Sequence, residues 1–234
     1  MNIKKYILPI LGILLMILSF LFAYHYLPNR IYSYIDRHYG APRFAPNIKV
    51  TFPEGTTNEE MADILVNKFT NFNRAEFIAL TAGKQGYLFP DTYLFYKNEK
   101  PSSMVTKLQN TFYKKALPLI ESTTTIRSTK DTIIMASIVE AESNGKEDAP
   151  IVAGILWKRL DNGIPLQVDV APDTYKTKGL PSAPITNPGL VSITASLTPT
   201  VTPYLYYLHD KDGMIHLAKS FDEHKKNIKL YLRK

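Results

Sequence analysis

The chain contains no cysteine. That excludes a disulfide framework, a thiolate zinc site and a cysteine nucleophile. Its five histidines (His25, His38, His209, His216 and His224) nowhere take HExxH-like spacing, which argues against a zinc hydrolase. No metal or cofactor is expected. No compact Lys/Arg tract interleaved with aromatics occurs, and no nucleic-acid motif. The net charge of +7 therefore reads as a solvated basic surface or as attraction to an anionic lipid or polymer, not to nucleic acid. With 45% hydrophobic and 21% charged residues, the composition is that of a folded protein. Its 234 residues suffice for one sizeable core or two small ones.

Charge is also missing from one particular stretch. Between Tyr6 and Tyr24 there is no ionisable Asp, Glu, Lys or Arg, and a bilayer core needs about 20 apolar residues in a helix. Lys4 and Lys5 precede this run, favouring a cytoplasmic N-terminus. The rival reading is a cleaved signal peptide, but "SFLFAYHYLPNR" offers no small-x-small site. Residues 1–27 are thus expected to be a cytoplasmic tip and a single transmembrane anchor, in contact with the bilayer through 6–27. No second long apolar run follows, so the rest is expected outside the cytoplasm. Residues 28–47, with three prolines and mixed charge, read as a linker.

Beyond the linker the expected class is α+β. Ile48, Val50 and Phe52 alternate with polar residues as in a strand. Thr57 and Glu60 form a T-x-x-E capping box before a helix carrying Met61, Ile64, Leu65 and Phe69. A second helix should stop at Gly83. Together these make a small β-α-α unit over 48–85, followed by a mixed α+β domain over 86–234. There, "GYLFPDTYLFY" is dense in aromatics, which are more often core than sugar-stacking platforms. One long helix is expected over 102–120. "IPLQVDV" alternates as a short strand, with Gln167 and Asp169 on one face. "TPYLYYLHD" and "GMIHLA" should pair as a hairpin, before a terminal helix capped from Ser220 to Glu223.

The segment "ASIVEAESNG" carries the sharpest expectation. Ser128 and Asp131 mark a helix start, Asn144-Gly145 its end. At about 100° per residue, Ile134, Met135, Ile138 and Val139 share one side, and Glu142 projects from the middle of that apolar stripe. Glu140 falls on roughly the opposite side, near Ser137, free to be solvated or paired with a base. A carboxyl surrounded by apolar side chains at a helix C-terminus should be held protonated, as a general acid requires. The competing reading is a structural ion pair with a cation such as Arg159.

Taken in order, "GYLFPDTYLF", "ASIVEAES", "VAGILWKRLDNGIPLQVD", "DTYKTKGLPSAPITNPGL" and "TPYLYYLHDKDGMIHLAKSFDEH" resemble the YceG-like endolytic murein transglycosylases, the MltG family. The resemblance implies an inner-membrane-anchored enzyme that cleaves peptidoglycan glycan strands internally, at the β-1,4 bond from N-acetylmuramic acid to N-acetylglucosamine. The product would carry a 1,6-anhydro-muramic end. It also implies a LysM-like segment over 48–85, a YceG-like catalytic domain over 86–234, and Glu142 as catalytic residue. Ser143, Gln167, Asp169, Tyr175, Asn187 and Pro188 match family motifs and would bind substrate. Cell-wall synthesis proteins are the partners it suggests besides the glycan. The departures are a shorter segment between Asp169 and Thr174, Asp173 where asparagine is usual, and "GLPSAPI" with Ser182 and Ala183. The alternative from a different class is a non-catalytic, membrane-tethered wall-binding or scaffold protein.

Overall fold

The alternating stretch at Ile48 forms strand β1 (Ile48–Thr51) in a computed structural model that describes residues 48–232. The expected membrane span and linker lie outside the described residues. Two helices follow: α1 (Asn58–Lys68) and α2 (Arg74–Thr81). The Thr57–Glu60 capping box forms reciprocally at the start of α1, satisfying donors that a helix end leaves open. The partner of β1 is β2 (Thr92–Phe95), antiparallel, with Ile48 opposite Phe95 and Thr51 opposite Thr92. A β-α-α segment has no second strand of its own, so β1 reaches past residue 86 for one. Val50, Phe52, Met61, Leu65 and Phe77 accordingly share one core cluster with Leu88, Phe95, Met104 and Leu108. The aromatics Phe89, Tyr93 and Phe95 of the FPDTY region are buried, as core residues rather than as an exposed platform.

The single helix expected over 102–120 is two: α3 (Pro101–Lys115) and α4 (Leu117–Ser122), separated at Ala116. Pro118 lies in the first turn of α4. It lacks an N–H and its ring clashes with the preceding turn, so it cannot sit in a helix interior.

Helix α5 (Thr129–Glu142) starts where Ser128 Oγ accepts from the Asp131 N–H. All residues from Thr132 to Val139 are buried, which corrects the expectation of one apolar stripe. On one side Ile134, Met135, Ile138 and Val139 pack with Val152, Leu156 and Trp157 of α6 (Ala149–Asp161). On the other, Ile133 and Ala136 pack with Phe112, Ile120 and Ile193, the last from α7 (Leu190–Leu197). A helix apolar all round is a central one.

The chain ends in a hairpin of β3 (Tyr206–His209) and β4 (Ile215–Ala218), His209 opposite Ile215. Helix α8 (Phe221–Asn227) follows, with Ser220 accepting from the Glu223 N–H, then one π-helical segment, Ile228–Leu232. The fold is mostly helical α+β, and the two sheets among the described residues are separate antiparallel pairs of strands. Among the described residues no helix is long and apolar enough to cross a membrane.

Candidate active site

Glu142 is the last residue of α5, and the Ser143 N–H closes the helix on the Val139 carbonyl at 2.9 Å. The turn into α6 is held by Asp148, whose Oδ2 accepts from the Asn144 N–H at 2.8 Å. Strand β3 runs against this corner. Tyr207 donates its hydroxyl to Glu142 Oε2 at 3.0 Å. Two residues on, His209 Nε2 lies 2.7 Å from Asp148 Oδ2. Glu142 is half-buried and, among the described residues, has no ion pair. The structure therefore does not form the Glu142–Arg159 pair.

Arg159 serves the neighbouring loop instead. It is buried and donates to the carbonyls of Pro165 and Leu205 and, through Nη2, to Gln167 Oε1 at 2.6 Å. The "IPLQVDV" stretch keeps the expected alternation, with Leu166 and Val168 buried and Gln167 and Asp169 outward. It is not a strand, however. Gln167 takes a left-handed φ of 55°, which costs a non-glycine residue about 1 kcal/mol and ends any extended run. Thr174 makes the turn worthwhile: its carbonyl accepts from the Gln167 N–H, and its Oγ1 accepts from the Val168 N–H and donates to Ala171 O. Replacing this hydroxyl leaves a buried N–H unmet. Thr174→Val is therefore expected to lower stability by about 1–2 kcal/mol in urea unfolding, with faster amide exchange at Val168.

The loop thus turns Gln167 and Asp169 outward, with the Asp169 charge felt at Glu142 and Asp169 Oδ1 accepting from the Tyr175 hydroxyl at 2.6 Å. Burial is the main cause that raises the Glu142 carboxyl above its ordinary range. The negative charge of Asp169 pushes the same way. The Tyr207 hydroxyl, the Val170 N–H and His209 act against them. Burial and the Glu142 charge drive the Tyr207 phenol well above its usual value, so it remains a donor. The arrangement favours the protonated carboxyl next to outward amide and carboxylate groups, which is the chemistry of a general acid. A separate groove of about 580 Å³, lined by Arg127, Trp157, Asp161 and Thr200 among others, contains none of these side chains. Its one carboxylate, Asp161, is paired with Arg127 at 2.7 Å.

Of the residues expected to bind substrate, Ser143 adjoins Glu142, Asp169 and Tyr175 act on it electrostatically, Gln167 is on the same outward loop, and two lie elsewhere. Asn187 is fully buried, and Pro188 is buried beside it. Asn187 Oδ1 accepts from the Gly86 and Leu88 N–H groups, and its Nδ2 donates to Thr56 O and Asn58 Oδ1. Its polar atoms are spent on the protein, so the expectation of a glycan contact is corrected to a structural clamp. Gly86 is part of the clamp: at φ 89° a β-carbon there would lie 2.6 Å from Pro184. Glu140 is half-buried and accepts from the Gly189 N–H at 2.9 Å, at the start of α7. Sequence reasoning overlooked Tyr207 and His209. The available signal was their spacing of two within a strand, which puts both on one face.

The comparisons agree with this architecture. A model of the YceG-like family matches residues 24–172 and 173–230. An endolytic murein transglycosylase of Bacillus subtilis (strain 168) is 27% identical over 216 residues, covering 81% of this chain and 55% of the relative. One from Streptococcus pneumoniae serotype 2 is 27% identical over 173 residues, 62% of this chain and 31% of the relative. The chain thus spans about half or less of the length of these curated relatives. The crystal structure of a YceG-like protein from Listeria monocytogenes superposes with a TM-score of 0.66 at 26% identity, covering 78% of this chain and 76% of that one. With both its sequence and its fold matched over most of their length, the chain belongs to the YceG-like family.

Proposed function

We propose that the protein is a membrane-tethered lytic transglycosylase that cuts peptidoglycan strands internally at the bond from N-acetylmuramic acid to N-acetylglucosamine. The observation that carries this reading is Glu142: a half-buried carboxyl, raised by burial, without an ion pair among the described residues and flanked by outward polar groups. The names of the relatives supply the substrate class. The uncharged run at 6–24 supports tethering through 6–27, with the enzymatic part outside the cytoplasm.

Protonated Glu142 donates to the glycosidic oxygen as the bond to the muramic C1 breaks. The carboxylate left behind takes the proton of the C6 hydroxyl of the same sugar, whose oxygen closes onto C1. The proton count balances, and Glu142 ends as it began. Intramolecular attack needs no second nucleophile, and good alignment contributes several kcal/mol. The Gln167 amide, with its oxygen fixed by Arg159, is left with Nε2 to donate to a sugar acetamido or hydroxyl oxygen. Asp169, one oxygen engaged by Tyr175, is assigned to orienting sugar hydroxyls.

Mass spectrometry of glycan fragments released from purified strands tests the reading. Fragments with anhydro-muramic ends are expected, lighter by one water than hydrolysis products. Hydrated ends would instead make Asp169 a second catalytic carboxyl, as in ordinary glycosidases. Strands left intact would favour the wall-binding scaffold.

A further inference from the structure

Strand β3 sets two side chains of one face against two carboxyls of one corner: Tyr207 on Glu142 and His209 on Asp148. Asp148 also accepts from the Asn144 N–H, so the His209 contact grips the turn that ends α5. At the other end of the strand, Arg159 Nη1 donates to Leu205 O at 2.9 Å. The backbone around Tyr207 is therefore fixed on both sides. The Tyr207 ring packs against the cluster that contains Ile138, Val139 and Leu156, and meets the His209 ring edge-on, with centroids 6.0 Å apart. A phenol so enclosed has one direction in which to aim its hydroxyl. Glu142, by contrast, sits in the last turn of a helix on three rotatable bonds, and its other polar neighbour is the Val170 N–H of the facing loop.

A neutral carboxyl offers its carbonyl oxygen to a donor and carries its proton on the other oxygen. We propose that Tyr207 is the positioning residue of the acid: its hydroxyl holds Glu142 Oε2, so that the transferable proton resides on Oε1 and faces the glycosidic oxygen. The role rests on the reading of Glu142 as the acid. It also strengthens as the reaction proceeds. When the Oε1 proton passes to the leaving oxygen, Glu142 becomes a carboxylate, and a hydrogen bond to an ionised acceptor is about twice as strong as one to a neutral acceptor. An interaction that grows towards the transition state raises kcat rather than lowering KM. Tyr207 keeps its own proton throughout.

The charged and titratable groups around the pair come from four places. Loop 164–175 contributes Asp169 and Tyr175, β3 contributes His209, the turn before α6 contributes Asp148, and α6 contributes Arg159, the last two acting on Tyr207. Tyr207→Phe removes one oxygen and changes none of these. In the full-length chain, kcat on glycan strands is expected to fall about tenfold, with KM unchanged. The alkaline limb of the kcat profile should move to higher pH, because a bond that favours the charged carboxyl has gone. The ¹³C resonance of the Glu142 carboxyl, assigned by its absence in Glu142→Gln, should titrate later in the same direction. A preserved melting temperature checks that the fold is intact. A wild type that cleaves no strand sinks the enzymatic reading, and the positioning role with it. A wild type that cleaves, while Tyr207→Phe keeps its kcat, pH profile and carboxyl titration, sinks the positioning role alone.

Discussion

Glu142→Gln is expected to reduce strand cleavage by about 10³–10⁴-fold, because one side chain both gives and takes the proton and each such role contributes on the order of 10²–10⁴. Glutamine has the same shape and can still accept the Tyr207 hydroxyl, so the loss isolates the proton from the packing. Release of soluble fragments from purified strands measures it, and a variant that still cuts would remove Glu142 from the mechanism. The same substitution should stabilise the protein near neutral pH. The folded carboxyl is raised above its ordinary value of 4.5, so across the window above that value the native state holds a proton that the unfolded chain has released. Stability therefore falls as pH rises through the window, and the deficit persists above it. Glutamine carries no such cost. The melting temperature of the variant should match wild type in acid and exceed it at neutral pH.

Asn187→Ala should be the most damaging of the stability changes, at about 3–5 kcal/mol. It strips partners from the Gly86 and Leu88 N–H groups and from Asn58 Oδ1, and leaves Thr56 O with the backbone N–H of residue 187 alone, all around a fully buried side chain. Asn187→Asp should fare little better, since it turns a donor towards two oxygens into an acceptor. Urea unfolding measures the loss. At a temperature where the variant remains folded, KM should equal that of wild type; a raised KM with normal stability would restore Asn187 to the substrate.

What the sequence disclosed was local or strongly periodic. The capping residues Thr57, Ser128 and Ser220 start helices where their side chains meet donors three residues on, and Glu142 emerges from a count of helical turns. The break at Ala116 was also written locally, in Pro118, but a continuous apolar pattern masked it. Long-range partners were not legible. Gln167 adopts its left-handed backbone because Thr174 receives the freed N–H groups, and an alternating pattern gives no hint of that. Asn187 looks like a site residue in a motif, and Glu140 like a carboxylate facing water or a base. Their partners, Gly86, Thr56 and Gly189, are glycines and backbone atoms that carry no side-chain signature. Tyr207 was hidden for the same reason: its partner lies 65 positions away.

The Asn187 clamp also bears on how the chain reaches its native state. Its side chain joins Thr56 and Asn58 across 131 and 129 positions, and closing so long a loop is entropically costly and slow. During vectorial synthesis the segment around Thr56 emerges first and must wait for most of the polypeptide to follow. Until then its apolar helices have an incomplete seal, a period in which such surfaces are prone to aggregate. Final assembly is thus a late event, set by the arrival of a single asparagine.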